Sequence, residues 1–191
     1  DASALWLFNT PGPMKIVNNE IASSGITVMI GAAGYLTGVP PTDVEFRRNR
    51  VRADSSTFNG KNTMEWKGGE RYWVAGNIFE DDAETGQNNS IQISTQPAES
   101  SGDPYIQDLT FEYNLIRRVK SIVGTNGIGF GESQVTLHRV AIRHNYAYDT
   151  IYGNGDAFII DNGADQVTHD HNTFRNNAGQ NWLRDAGPPV L

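Results

Sequence analysis

The sequence predicts an all-β fold, a parallel β-solenoid of about six coils. Three observations predict it. An eight-residue phrase recurs six times, its apolar positions alternate as in a strand, and no unit contains an amphipathic helix. The phrase reads apolar, any, apolar, any, any, Asn, any, small or apolar. It occurs at 14–21 (MKIVNNEI), 44–51 (VEFRRNRV), 72–79 (YWVAGNIF), 109–116 (LTFEYNLI), 140–147 (VAIRHNYA) and 167–174 (VTHDHNTF). A phrase repeated at this period means stacked units, each covering its neighbour's core.

The first element of each unit is a strand with period-two alternation. Its inward positions form one column: Ile16, Phe46, Val74, Phe111, Ile142 and His169. The alternation breaks at Asn19, Asn49, Asn77, Asn114, Asn145 and Asn172, spaced by 30, 28, 37, 31 and 27 residues. Asn suits a bend because it tolerates the left-handed region and bonds its own backbone. Stacked asparagines also predict an amide ladder along the axis. A second short apolar strand follows in each unit, at 28–31, 64–66, 91–93, 121–124, 158–161 and 182–183, and a Gly- or Pro-bearing return closes it. Propeller blades need four strands each, which about 30 residues do not supply. At the usual strand spacing, six coils span roughly 30 Å.

Residues 4–8 read as a second strand without its first, and the chain stops just after the last second strand. Neither end carries an amphipathic capping helix, so the ends are expected to be uncapped. Open ends expose backbone and apolar rungs. The reading is therefore a single β-helix domain over 1–191, a fragment or module of a longer chain, with end-to-end assembly as one use of the ends.

The 191 residues carry a net charge of −7 and no cysteine, with a pI near 5.0. That balance argues against a nucleic-acid binder, which would show a basic face. No run of 18 apolar residues is present, so no membrane span is expected. Thiol catalysis, thiolate metal sites and disulfides are excluded.

The six phrases, with stretches such as 12–19 (GPMKIVNN) and 74–80 (VAGNIFE), resemble the right-handed parallel β-helix repeat proteins of the pectate-lyase-like superfamily. The nearest likeness is a subgroup of exported bacterial proteins. The resemblance covers residues 4–187 and implies a right-handed helix and an extracellular or cell-surface location. Handedness also follows from the general chirality of parallel crossovers. The superfamily holds lyases, hydrolases, phage tailspikes and adhesins, so fold alone does not choose among activities. The Asn-Thr-Asp and Gly-His-Gly motifs of polygalacturonases are missing, and Asp81-Asp82 is the sole Asp-Asp pair.

Outward positions supply the candidate chemistry. Two before the Asn stand Val17, Arg47, Ala75, Glu112, Arg143 and Asp170. Immediately before it stand Asn18, Arg48, Gly76, Tyr113, His144 and His171. Units four to six thus present Glu112, Tyr113, Arg143, His144, Asp170 and His171 together, a set that suits uronate chemistry. Arg143 would clamp a carboxylate, His144 or Tyr113 would carry a proton, and Glu112 or Asp170 would orient them. The competing reading is a ladder of alternating charge, Glu112–Arg143–Asp170, that ties strands together. His169-Asp170-His171 invites a metal, but alternation turns His169 inward and Asp170 outward.

Asp156, Asp161 and Asp165, with Asn154 and Asn162, are hard oxygen groups on turns and the candidates for Ca²⁺. Glu80, Asp81, Asp82 and Glu84 form a second acidic stretch, and for both stretches the competing and favoured reading is a charged, solvated turn. Trp73, Tyr146, Tyr148 and Tyr152 are candidates to stack on sugar rings. Long insertions at 37–43, 52–62, 95–106 and 124–134 suit a binding face. The function expected is extracellular polysaccharide binding, with lyase- or hydrolase-like cleavage left open. The alternative is a non-catalytic structural module of a surface fibre.

Overall fold

The structure is a computed structural model. It describes residues 3–8, 10–31, 40–53, 62–81, 89–95, 105–119, 121–126, 137–150, 158–161, 165–177 and 183–185. The four long insertions fall largely outside them.

The chain opens with β1 (Leu5–Leu7) and then repeats a triplet of strands. The first triplets are β2 (Met14–Val17), β3 (Glu20–Ser23) and β4 (Val28–Ile30), then β5 (Thr42–Arg47), β6 (Arg50–Ala53) and β7 (Met64–Trp66). Next come β8 (Gly69–Ala75), β9 (Ile78–Glu80) and β10 (Ile91–Ser94), then β11 (Ile106–Glu112), β12 (Leu115–Arg117) and β13 (Val123–Asn126). The last are β14 (Leu137–Arg143), β15 (Tyr146–Thr150) and β16 (Phe158–Asp161), then β17 (Asp165–Asp170), β18 (Thr173–Asn177) and β19 (Leu183–Asp185). Among the described residues there is no helix, and none long and apolar enough to cross a membrane.

Every third strand pairs in parallel with its counterpart, which gives three sheets. One has seven strands, in the order β1-β4-β7-β10-β13-β16-β19; the others have six, β2-β5-β8-β11-β14-β17 and β3-β6-β9-β12-β15-β18. The fold is a parallel β-solenoid. Each repeat holds three strands where the sequence suggested two. The additional one follows the Asn directly and is only three residues long in β9 and β12; its first two residues are the last two of the eight-residue phrase, so it read as the end of the bend.

The core is a set of apolar columns that follow the register. Phe46 stacks on Val74, Val74 on Phe111 and Phe111 on Ile142, and all four are buried. After the bend, Val51, Phe79, Ile116 and Ala147 form a second buried column. The Phe79 and Phe111 rings meet across the interior at 5.6 Å. Burying a side chain of this size contributes roughly 1.5–3 kcal/mol. Repetition of such columns is therefore the main stabilising term.

At the bend, the left-handed backbone falls one residue before the Asn rather than on it. Asn18, Arg48, Gly76, Tyr113, His144 and His171 have φ between 49° and 65°. The kink turns the Asn inward, where its amide serves neighbouring rungs. Asn114 is representative. Its Nδ2 donates to Val74 O at 3.1 Å and to Asn145 Oδ1 at 3.0 Å. Its Oδ1 accepts from the Asn77 backbone N at 2.9 Å and Asn77 Nδ2 at 3.0 Å. Side-chain amide bonds of the same kind join Asn19 to Asn49, Asn49 to Asn77 and Asn145 to Asn172.

Candidate functional site

The strand-one sheet, β2 to β17, carries the candidate residues on its outer surface. Glu112, Arg143 and Asp170 lie in register on β11, β14 and β17. Arg143 Nε donates to Glu112 Oε2 at 2.9 Å. Trp73, from the preceding rung, donates through Nε1 to Glu112 Oε1 at 2.9 Å. Both Glu112 oxygens are thus engaged, and the residue is buried. Its role in the structure is to hold an indole and a guanidinium. Arg143 uses only Nε in this pair, which leaves its terminal amino groups on the surface, with the side chain 45% exposed.

Trp73 is held from two sides. The Arg47 guanidinium sits 4.6 Å from its ring centroid, and Glu112 fixes its N–H. The ring is nonetheless exposed. An indole pinned in this way loses little entropy when a planar or ring-shaped ligand lies on it.

The column immediately before the Asn forms a continuous stack. Tyr113 and His144 rings lie 5.0 Å apart and 4° from parallel, and His144 and His171 follow at 5.1 Å and 26°. Tyr113 is 62% exposed. His144 has both ring faces covered, so only its edge meets solvent. The Asp170 Oδ1 lies 2.5 Å from His171 Nδ1, which directs the second ring nitrogen of His171 outward. Of the six candidates, then, Glu112 and Arg143 form one pair, Asp170 and His171 another, and Tyr113, His144 and His171 one stack. The kinked backbone sets Tyr113, His144 and His171 on the ridge between two sheets, next to the strand ends that carry the other three.

His169 lies in the inward column below Ile142, and burial pushes its imidazole down to about 4. His171 stands just past β17, at the bend, in the outer stack with His144, so the 169–171 triplet does not converge on a metal. Among the described residues, no group of three or more His, Asp and Glu could hold an ion. Asp156, Asn154 and Asn162 and the Asp161 side chain lie outside the described residues. Asp165 faces His138 Nδ1 at 3.2 Å.

The 80–84 acidic stretch is a correction. Its described carboxylates serve arginines instead of a cation. Glu80, fully buried, accepts from Arg50 Nε at 2.5 Å, Arg117 Nε at 2.6 Å and Arg118 Nη2 at 2.9 Å. Asp81 takes Arg118 through both oxygens, at 2.6 and 3.0 Å. Burial pushes the Glu80 carboxyl up, but hydrogen bonds from Arg117 and Arg50 prevail and hold it below its usual range. Asp82 and Glu84 lie outside the described residues.

Tyr146 and Tyr148, sugar-stacking candidates from the sequence, line a groove on the outer face of the sheet after the bend that sequence reasoning did not foresee. It has a volume of about 770 Å³ and is lined by Leu115, Tyr146, Tyr148, Asp149 and Arg175. Placing the residues one and three after each Asn side by side would have found it. Tyr152 lies outside the described residues. Comparison with protein families, curated proteins and solved structures gives no match.

Proposed function

We propose that this chain is an extracellular polysaccharide-binding β-helix, exported from a bacterium, right-handed and of pectate-lyase-like type. Its glycan surface is the outer ridge of β8, β11, β14 and β17. The observation that carries the reading is the exposed Tyr113–His144–His171 stack beside the pinned indole of Trp73. Flat ring faces and edges at solvent suit sugars, whose C–H faces pack on aromatic rings while their hydroxyls bond polar edges. The exposed guanidinium of Arg143 suits a carboxylate-bearing sugar. The Asp170–His171 pair adds a held imidazole for proton transfer, should a bound chain be cleaved.

The test is a polysaccharide panel with and without Ca²⁺, read by affinity electrophoresis, unsaturated-product absorbance and reducing ends. Retardation by some glycan, lost in Tyr113→Ala and Trp73→Ala, supports the binding reading. Product formation lost in His171→Ala adds catalysis. No interaction with any glycan, with mass growing as protein concentration rises, overturns it in favour of a fibre module.

A further inference from the structure

We infer that the outer face of the β3-to-β18 sheet carries a second saccharide site, which takes a sugar ring bearing an anionic group, carboxylate or sulfate. This rests on the glycan-binding reading above and assigns a new place and ligand class within it.

The site is the groove of about 770 Å³ lined by Leu115, Tyr146, Tyr148, Asp149 and Arg175, a size that fits a small ligand or a short oligomer segment. The register builds it. Leu115 lies beside Tyr146, and Arg117, Tyr148 and Arg175 follow one another on β12, β15 and β18. The two tyrosine rings stand 5.5 Å apart, tilted by 39°. Tyr148 is fixed, because its hydroxyl accepts from Arg117 Nη1 at 3.1 Å and Arg117 is itself anchored on Glu80. Tyr146 is half-exposed. One ring therefore supports and the other is presented.

Arg175 supplies the charge preference. Arg50, Arg117 and Arg118 spend their guanidiniums on Glu80 and Asp81. Among the described residues, exposed Arg175 forms no ion pair, and its neighbour in the column one rung back is Tyr148, not a carboxylate. Asp149, the acid among the lining residues, has an interaction of its own. A guanidinium beside two aromatic rings offers two parallel donors to a planar anion and leaves the rings for the sugar face. A neutral sugar uses only the rings.

Isothermal titration with neutral, uronate and sulfated oligosaccharides of equal length tests this on wild type, Arg175→Gln, Tyr146→Ala and Arg143→Gln. Wild type is expected to bind an anionic oligomer about tenfold tighter than the neutral one, the worth of one charged hydrogen-bond pair. Arg175→Gln loses that preference and keeps neutral affinity; Tyr146→Ala weakens both. The uronate and sulfate arms distinguish the two anions. Equal binding of neutral and anionic oligomers overturns the inference and leaves the glycan reading standing. So does a preference that survives Arg175→Gln but vanishes in Arg143→Gln. Binding of no oligomer overturns both.

Discussion

Tyr113 and His144 lie face to face with ring centroids 5.0 Å apart and planes 4° apart, and both hold left-handed backbone, at φ 55° and 53°. The two facts are linked. The kink aims each side chain out along the ridge, and the parallel register repeats the aim one rung on. A bulky residue in the left-handed region costs roughly 1–2 kcal/mol, which Gly76, at the same position of its repeat, avoids. We expect Tyr113→Gly to be more stable than Tyr113→Ala by about 1 kcal/mol. Both lose the stack, so both are expected to lose glycan retardation alike. Chemical melts of the two variants check this; an alanine variant as stable as the glycine variant would remove backbone strain from the account.

The asparagine column makes a sharper demand. Asn114 is buried and bonds Val74, Asn77 and Asn145 at once. Alanine there leaves the Asn77 N–H and the Val74 carbonyl without those bonds, at a cost of about 1–3 kcal/mol. Aspartate keeps the acceptor but forfeits both donations, so it is expected to fall at least as far. Urea denaturation is the measurement, and an unchanged midpoint for Asn114→Ala would show that these bonds do not hold the bend.

The sequence made the strand before the bend legible because one side of that strand must be apolar. Phe46, Val74, Phe111 and Ile142 are therefore bound to a period of two. It hid the strand after the bend because Leu115 and Ile116 are the last two residues of the repeated phrase and read as part of the bend. It misplaced the left-handed residue because only Asn18 and Gly76 advertise that conformation; Arg48, Tyr113, His144 and His171 are forced into it by the inward turn of the next residue. The Glu112–Arg143 pairing was legible, since residues at the same place in the phrase sit side by side. The Trp73–Glu112 bond was not: it runs diagonally between rungs and depends on how the indole is rotated. The clustering on Glu80 escaped for the same reason, as its arginines come from two other rungs and three positions of the repeat.

Glu80 is where charge and stability meet. Three guanidiniums converge on one buried carboxylate. Removing one partner of a buried ion pair costs roughly 3–5 kcal/mol, and the arginines here are partly exposed, which moves the cost to the low end. Glu80→Gln is expected to lose about 2–3 kcal/mol on that ground, and Arg117→Gln, with two cations remaining, clearly less. Because the folded carboxyl is held below its unfolded value, its contribution is present above the unfolded pKa and lost as pH falls through the folded one. Thermal melts of the two variants at neutral pH give the comparison, and equal losses would mean the cluster acts through packing alone.

His169 loses stability in the same direction, through burial instead of ion pairing and at a higher pH. It continues the column of Phe111 and Ile142, and burial lowers its imidazole from 6.5 to about 4. Between those values the unfolded chain binds a proton that the folded chain refuses. Stability must therefore rise with pH across this window and be lost as pH falls from 6.5 toward 4. The whole effect is on the order of 3 kcal/mol. His169→Leu extends the apolar column and removes the titration. Relative to wild type, the variant is expected to gain little at neutral pH and progressively more below about pH 6. The carboxylates common to both proteins cancel in the difference. Urea melts of the pair across that window decide the point. A stability difference that stays constant with pH would mean that protonation of His169 is not what couples this end of the core to acid.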